Sequence, residues 1–198
     1  MKTGKTALRT ELRARRRALS AGERAARSRD AALAIIRLHR FAAGAAVAIY
    51  VPMHSETDTA RLVASARRRC VRLYLPVIAN QRRRTLRFYP LVGRMRPGAY
   101  GIPEPRRSGR PVGARWLNLV VVPVVGVDRH GHRLGMGGGY YDRAFAFRAR
   151  RRAWRGPRLI GIAFDCQRVE AISADRWDLR LDALATESGL TTFAGPHR

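Results

Sequence analysis

Leu119-Val120-Val121-Val122-Pro123-Val124-Val125 leads through a turn at Asp128 to Gly131 into Gly131-His132-Arg133-Leu134-Gly135-Met136-Gly137-Gly138-Gly139-Tyr140-Tyr141-Asp142-Arg143. An apolar run that is nearly all valine suits a strand buried on both faces. The glycines follow that strand and open a helix expected from Tyr140 to about Arg152. Strand, glycine loop and helix in this order are the unit of a wound α/β fold. Glycine amides, with no Cβ to block approach, suit a phosphate group there, helped by the positive end of the helix.

Working outward, the same alternation continues. Leu8, Leu12 and Leu19 stand among charges at helical spacing over residues 5 to 20, and Ser20 with Glu23 has the form of a capping box for a second helix running to about Leu38. Val47 to Val51, ended by Pro52, reads as a strand, and Thr57 to about Arg69 as the helix after it. Further strands are expected at Val71 to Leu75, Leu86 to Leu91, Leu159 to Phe164 and Leu184 to Thr186. Residues 93–115, rich in glycine and proline, read as a long irregular loop that could cover a substrate. The fold class expected is a single α/β domain over residues 1–198, with an open, mainly parallel sheet and helices on both faces.

Composition narrows the function. The 198 residues are 46% hydrophobic, enough for a sizeable core, and no run approaches a membrane span or a secretory signal, so a cytoplasmic protein is expected. Cys70 and Cys166 form no metal-ligand cluster and read as two buried, reduced thiols. The net charge of +26 is carried by arginine, Lys2 and Lys5 being the only lysines. Such charge attracts polyanions. A nucleic-acid role is nevertheless disfavoured, because the arginines are scattered without a recognition helix or interleaved aromatic platform.

The glycine run lacks the phosphate-loop lysine and the GxGxxG spacing of dinucleotide sites, and on spacing alone a tight turn stays open. Arg133 before it and Asp142 after it add a forked phosphate donor and an oxygen ligand for Mg²⁺, the elements of a Mg-nucleotide site. His54, His130 and His132 lie near these segments but have no zinc-site spacing.

At this point RLGMGGGYYDR resembles the signature of the 5-formyltetrahydrofolate cyclo-ligase family, RLGxGxGYYD. Lys5-x-x-Leu8-Arg9, Glu56-Thr57-Asp58-Thr59, Gly101-Ile102-Pro103-Glu104-Pro105 and the closing Trp177-Asp178, Leu181-Asp182 and Thr186-Glu187 resemble that family too. Trp177 stands where many members carry His, and Thr57 where a small aliphatic residue is usual.

The resemblance implies a fold like the sugar-phosphate isomerase and CoA-transferase group. It also implies ATP- and Mg²⁺-dependent cyclisation of 5-formyltetrahydrofolate to 5,10-methenyltetrahydrofolate, with ADP and phosphate released. By motif position, Lys5, Arg9, Arg133, Leu134, Gly135, Met136, Gly137, Gly138, Gly139, Tyr140 and Tyr141 would bind ATP. Val51, Glu56, Met136 and Tyr140 would bind the folate, Asp142 and Asp178 would hold Mg²⁺, and Arg133 and Tyr140 would be catalytic. The implied partner is the small-molecule folate, polyglutamylated or not, with no membrane; a monomer is expected. Two alternatives remain at this point: a polyanion-binding protein, and an ATP-binding relative acting on another small molecule. Glu56 separates the second, since in the implied arrangement it faces the pterin.

Overall fold

The computed structural model describes residues 2–106, 109–150 and 156–193. The first half holds α1 (Lys2–Ala18), α2 (Ala21–Ile36), β1 (Ala46–Ala48), α3 (Ala60–Arg68), β2 (Arg72–Asn80) and β3 (Thr85–Pro90). A pair of two-residue antiparallel strands, β4 (Met95–Arg96) and β5 (Glu104–Pro105), lies in the glycine- and proline-rich connection. Then come β6 (Leu119–Pro123), β7 (Gly126–Asp128), β8 (Arg133–Leu134), α4 (Tyr140–Ala144) and α5 (Phe147–Arg150). The chain closes with β9 (Arg158–Ile162), β10 (Arg168–Val169), β11 (Ala183–Thr186) and β12 (Gly189–Thr192).

Seven strands form one open sheet in the order β12-β11-β9-β6-β1-β2-β3. The five inner strands pair in parallel and both edge strands are antiparallel, so the sheet is mixed but mainly parallel. Successive valines of β6 fall on opposite faces. Val121 packs with Ala31, Ile35 and Leu62 of α2 and α3, while Val120 and Val122 pack with Phe88, Phe145 and Leu179. Burial on both faces is why this strand reads as a continuous apolar run. A third small core seats Leu12 of α1 against Val125, Leu134 and Ile172, on the side sheet formed by β10, β7 and β8.

The Ser20 capping box is present, Ser20 Oγ accepting from the Glu23 amide and the Glu23 carboxylate from the Ser20 amide. Several boundaries differ from expectation. β2 does not stop at Pro76 but continues to Asn80, because its pairing with β1 ends at Tyr74 and no amide is needed on that side at Pro76. β1 ends at Ala48, which places Val51 in the loop beyond it. The helix from Tyr140 breaks where Phe145 turns into the core, leaving a five-residue α4 and then α5; residues 151 and 152 lie outside the described residues. β12 was not expected from the sequence.

The thiols are also not as expected. Cys70 is exposed and Cys166 half-buried. Cys70 sits at φ +55 just past α3, where the Val71 amide reaches back to the Ala66 carbonyl, the left-handed helix stop that glycine usually fills.

Candidate functional site

The chain passes from β1 to β2 on one side and from β6 to β9 on the other, so the sheet changes winding direction between β1 and β6. Ligands in open α/β sheets bind beyond the carboxyl ends of the strands at such a switch point. A cleft of about 2450 Å³ opens there. Its lining includes Val51 and Glu56 from the loop after β1, the run from Arg133 to Asp142 after β7, Lys5 and Arg9 of α1, and Asp178. Every site residue expected from the sequence therefore borders one cavity.

The glycine run is held from both ends. Arg133 donates from Nη2 to Asp142 Oδ1 at 2.6 Å, and its guanidinium lies 5.6 Å from the centre of the Tyr141 ring. Only 7% of the Arg133 side chain is exposed, and its Nε is buried with no hydrogen-bond partner among the described residues. A Cβ at Gly135 would stand 2.5 Å from Arg133 Nη1, so the absence of a side chain there lets the arginine close over the loop. Gly137 has φ +93, in the region open to glycine. Because α4 has only five residues, its macrodipole adds little, and the loop amides are left as the main anion donors.

α1 contributes two cations one turn apart. Arg9 Nε donates to the Gly135 carbonyl at 2.8 Å. Lys5 Nζ binds Asp175 Oδ2 at 2.8 Å and Asp178 Oδ2 at 2.9 Å. The Asp175 hydrogen bond is the largest influence holding the Lys5 ammonium above its ordinary pKa, against a smaller opposing effect of burial. The two candidate metal carboxylates lie on adjoining segments, since the amide of Leu179, next to Asp178, donates to Asp142 Oδ1 at 3.0 Å.

These hard oxygens fit Mg²⁺, an ion that takes one or two carboxylates and fills its remaining positions with water and phosphate oxygens. Lys5 currently supplies the positive charge on Asp178. Among the described residues no group of three or more His, Cys, Asp or Glu is placed to hold a metal ion. His130 and His132 have rings 6.1 Å apart, and His132 Nδ1 lies 2.9 Å from Asp128 Oδ2; His54 is exposed on another loop.

Burial is the main cause that raises the Glu56 carboxyl above its usual value, opposed by the Met53 amide, which donates to Oε2 at 3.0 Å, and by the charge of Arg16. Arg16 is 5% exposed and bonded through Nε to Ser55 Oγ at 3.1 Å, which fixes the loop that carries Glu56. Tyr141 stacks on Phe145 with an angle of 19°, and desolvation pushes its phenol well up, the environment of a wall residue. Tyr140 faces the cleft mouth, its hydroxyl 3.2 Å from that of Tyr100. Met136 is 60% exposed.

The sequence did not single out Asp175, Tyr100, Arg84 or Arg16. Asp175 and Arg16 carry no motif signal. Tyr100, an aromatic isolated in a glycine- and proline-rich loop, had one.

A profile of the 5-formyltetrahydrofolate cyclo-ligase family matches residues 1–187. The chain is 31% identical over 182 residues to the 5-formyltetrahydrofolate cyclo-ligase of Escherichia coli K12, spanning 89% of this chain and 97% of that one. It is 32% identical over 140 residues to the Haemophilus influenzae enzyme of the same name, spanning 68% and 72%. The solution structure of Aquifex aeolicus 5,10-methenyltetrahydrofolate synthetase superposes with a TM-score of 0.81 at 27% identity, covering 98% of this chain and 95% of that one. With the signature residues gathered in one cleft and the likeness running the length of the fold, the chain belongs to the 5-formyltetrahydrofolate cyclo-ligase family.

Proposed function

We propose that this cleft converts 5-formyltetrahydrofolate to 5,10-methenyltetrahydrofolate at the expense of Mg-ATP, releasing ADP and phosphate. The observation that carries this reading is the Arg133–Asp142 pair closing the glycine run in the same cavity that Glu56 borders. A formamide oxygen is a poor leaving group. Transfer of the terminal phosphoryl group of ATP to it makes one: N10 then attacks the activated carbon and gives up its proton to solvent, the C–O bond breaks, and phosphate departs with that oxygen.

The protein's part is placement and charge compensation. The glycine amides and Arg133 would hold the phosphates, Arg133 Nε, without a partner among the described residues, being a donor that a phosphate oxygen can satisfy. Arg9 and Lys5 would bring positive charge from α1. Glu56 would accept two hydrogen bonds from adjacent N–H groups of the pterin, with Val51 and Met136 packing on the folate. Arg133 and Tyr140 would stand at the transfer point. Asp142 and Asp178 would hold Mg²⁺, which supplies neutralisation of the phosphate charge.

Supporting this assignment over that of an ATP-binding relative is Glu56 itself, a part-buried acid kept in place at a desolvation cost. We also infer a single cytoplasmic domain acting as a monomer and built on the sugar-phosphate isomerase and CoA-transferase plan. The unbroken seven-stranded sheet and the absence, among the described residues, of any helix long and apolar enough to cross a membrane are compatible with that.

Substrate carrying a heavy-oxygen label in the formyl group tests the chemistry. The label should appear in inorganic phosphate in step with product; labelled water or formate with unlabelled phosphate would overturn the phosphoryl-transfer route.

A further inference from the structure

Three arginines reach the glycine run. Arg133 lies against Gly135 and is committed to Asp142; Arg9 lies 3.8 Å from the Cβ position of Gly137 and is committed to the Gly135 carbonyl. The third is Arg84, whose Nη1 is 3.6 Å from the Cβ position of Gly139. Its guanidinium makes no hydrogen bond or ion pair among the described residues, and the residue is exposed at the cleft rim.

Arg84 comes from a separate element, the tip of the β2–β3 hairpin. That tip is built to a fixed shape: the register shifts between Ile78 and Asn80, Asn80 Oδ1 accepts the Arg83 amide at 2.8 Å, and the Arg84 amide reaches the Gln81 carbonyl at 3.2 Å. Arg84 itself has φ +51, a left-handed conformation that glycine or asparagine adopts more readily. Behind it, the Phe88 and Phe145 rings pack 6.0 Å apart, tying β3 to the end of α4. Core packing thus holds the hairpin over the start of α4, with a charged side chain that has no acceptor among the described residues.

We propose that Arg84 is a nucleotide-phosphate contact, closing on the terminal phosphates of Mg-ATP bound by the amides of Gly137 to Gly139. The proposal rests on the nucleotide reading of the glycine run. A forked guanidinium delivered beside loop amides matches phosphate oxygens in geometry and charge. Arg82 and Arg83, also exposed, raise the local potential but do not border the cleft. Proximity to Gly139 assigns Arg84 to the nucleotide and not to the carboxylates of the folate.

The test is calorimetric titration of a non-hydrolysable ATP analogue with Mg²⁺ into the wild type, Arg84→Ala, Arg84→Lys and Arg82→Ala. Arg84→Ala should weaken binding about tenfold, Arg84→Lys by less, and Arg82→Ala by under about twofold, with thermal midpoints unchanged. The KM for ATP should rise in Arg84→Ala and that for the folate should not. Wild-type affinity in Arg84→Ala, or a rise confined to the folate KM, would overturn the assignment while leaving the nucleotide site standing. A wild type that binds no nucleotide would sink both.

Discussion

Nη2 of Arg133 lies 2.6 Å from Oδ1 of Asp142, so the residue before the glycine run and the one after it clasp the run into a closed loop. The carboxylate that would meet Mg²⁺ also orients the arginine that would meet phosphate. Substituting either should disturb both stability and nucleotide binding.

For Asp142→Asn, the Leu179 amide keeps an acceptor but the buried Arg133 guanidinium loses its counter-charge. A loss of about 2 kcal/mol is expected, visible as a fall in the thermal midpoint of roughly 4–8 °C. Calorimetric melting checks this, and an unchanged midpoint would mean the pair is not a structural clasp.

Gly135→Ala and Gly22→Ala should act in opposite directions. The first puts a methyl 2.5 Å from Arg133 Nη1 and should displace the arginine, raising the KM for ATP by at least about tenfold. The second places a methyl in open space on α2 and should stabilise the fold by about 0.5 kcal/mol with activity retained. Steady-state kinetics beside denaturant melts would read both.

Leu12 is fully buried where α1 meets Val125, Leu134 and Ile172, on the helix that carries Lys5 and Arg9. Leu12→Ala should lose about 3 kcal/mol and also loosen the nucleotide site by letting α1 shift. Raised hydrogen exchange confined to α1, with a higher KM for ATP, is the expected signature.

Glu56 makes the fold pH-sensitive. Burial raises its native pKa above the ordinary 4.5, so the unfolded chain releases its proton first as pH climbs. Stability on this account is greatest below about pH 4.5 and falls as pH rises through the native value. Glu56→Gln escapes that loss: it should melt higher than the wild type at pH 7, the difference vanishing at acid pH, while its KM for the folate rises. A Glu56→Gln protein less stable than the wild type at pH 7 would contradict the desolvation reading.

How much of this was legible beforehand follows the range of the interactions. The strand at Leu119, the Ser20 cap and the glycine run are local patterns; the cap and the run stand where the sequence placed them, and the strand starts at Leu119 but ends at Pro123 and not at Val125. Pro76 misled because its tolerance depends on where a neighbouring strand ends, and Phe145 because the ring that ends the helix packs into the core against Phe88 on a distant strand. The Lys5 bridges to Asp175 and Asp178 join residues more than 150 positions apart, and Arg84 reaches Gly139 only through the hairpin's bulge. No spacing rule encodes such meetings. The site residues were placed by resemblance to a signature, and the cleft then brought them to one cavity.

The most direct test of the central claim is to mix purified protein with 5-formyltetrahydrofolate, ATP and Mg²⁺ and follow the near-ultraviolet absorbance of the methenyl product. ATP omission and the Asp142→Ala variant are run beside it. The predicted result is a rise that needs ATP, matches ADP release one for one and is lost in the variant. No rise from folded wild-type protein that binds ATP would contradict the proposed reaction.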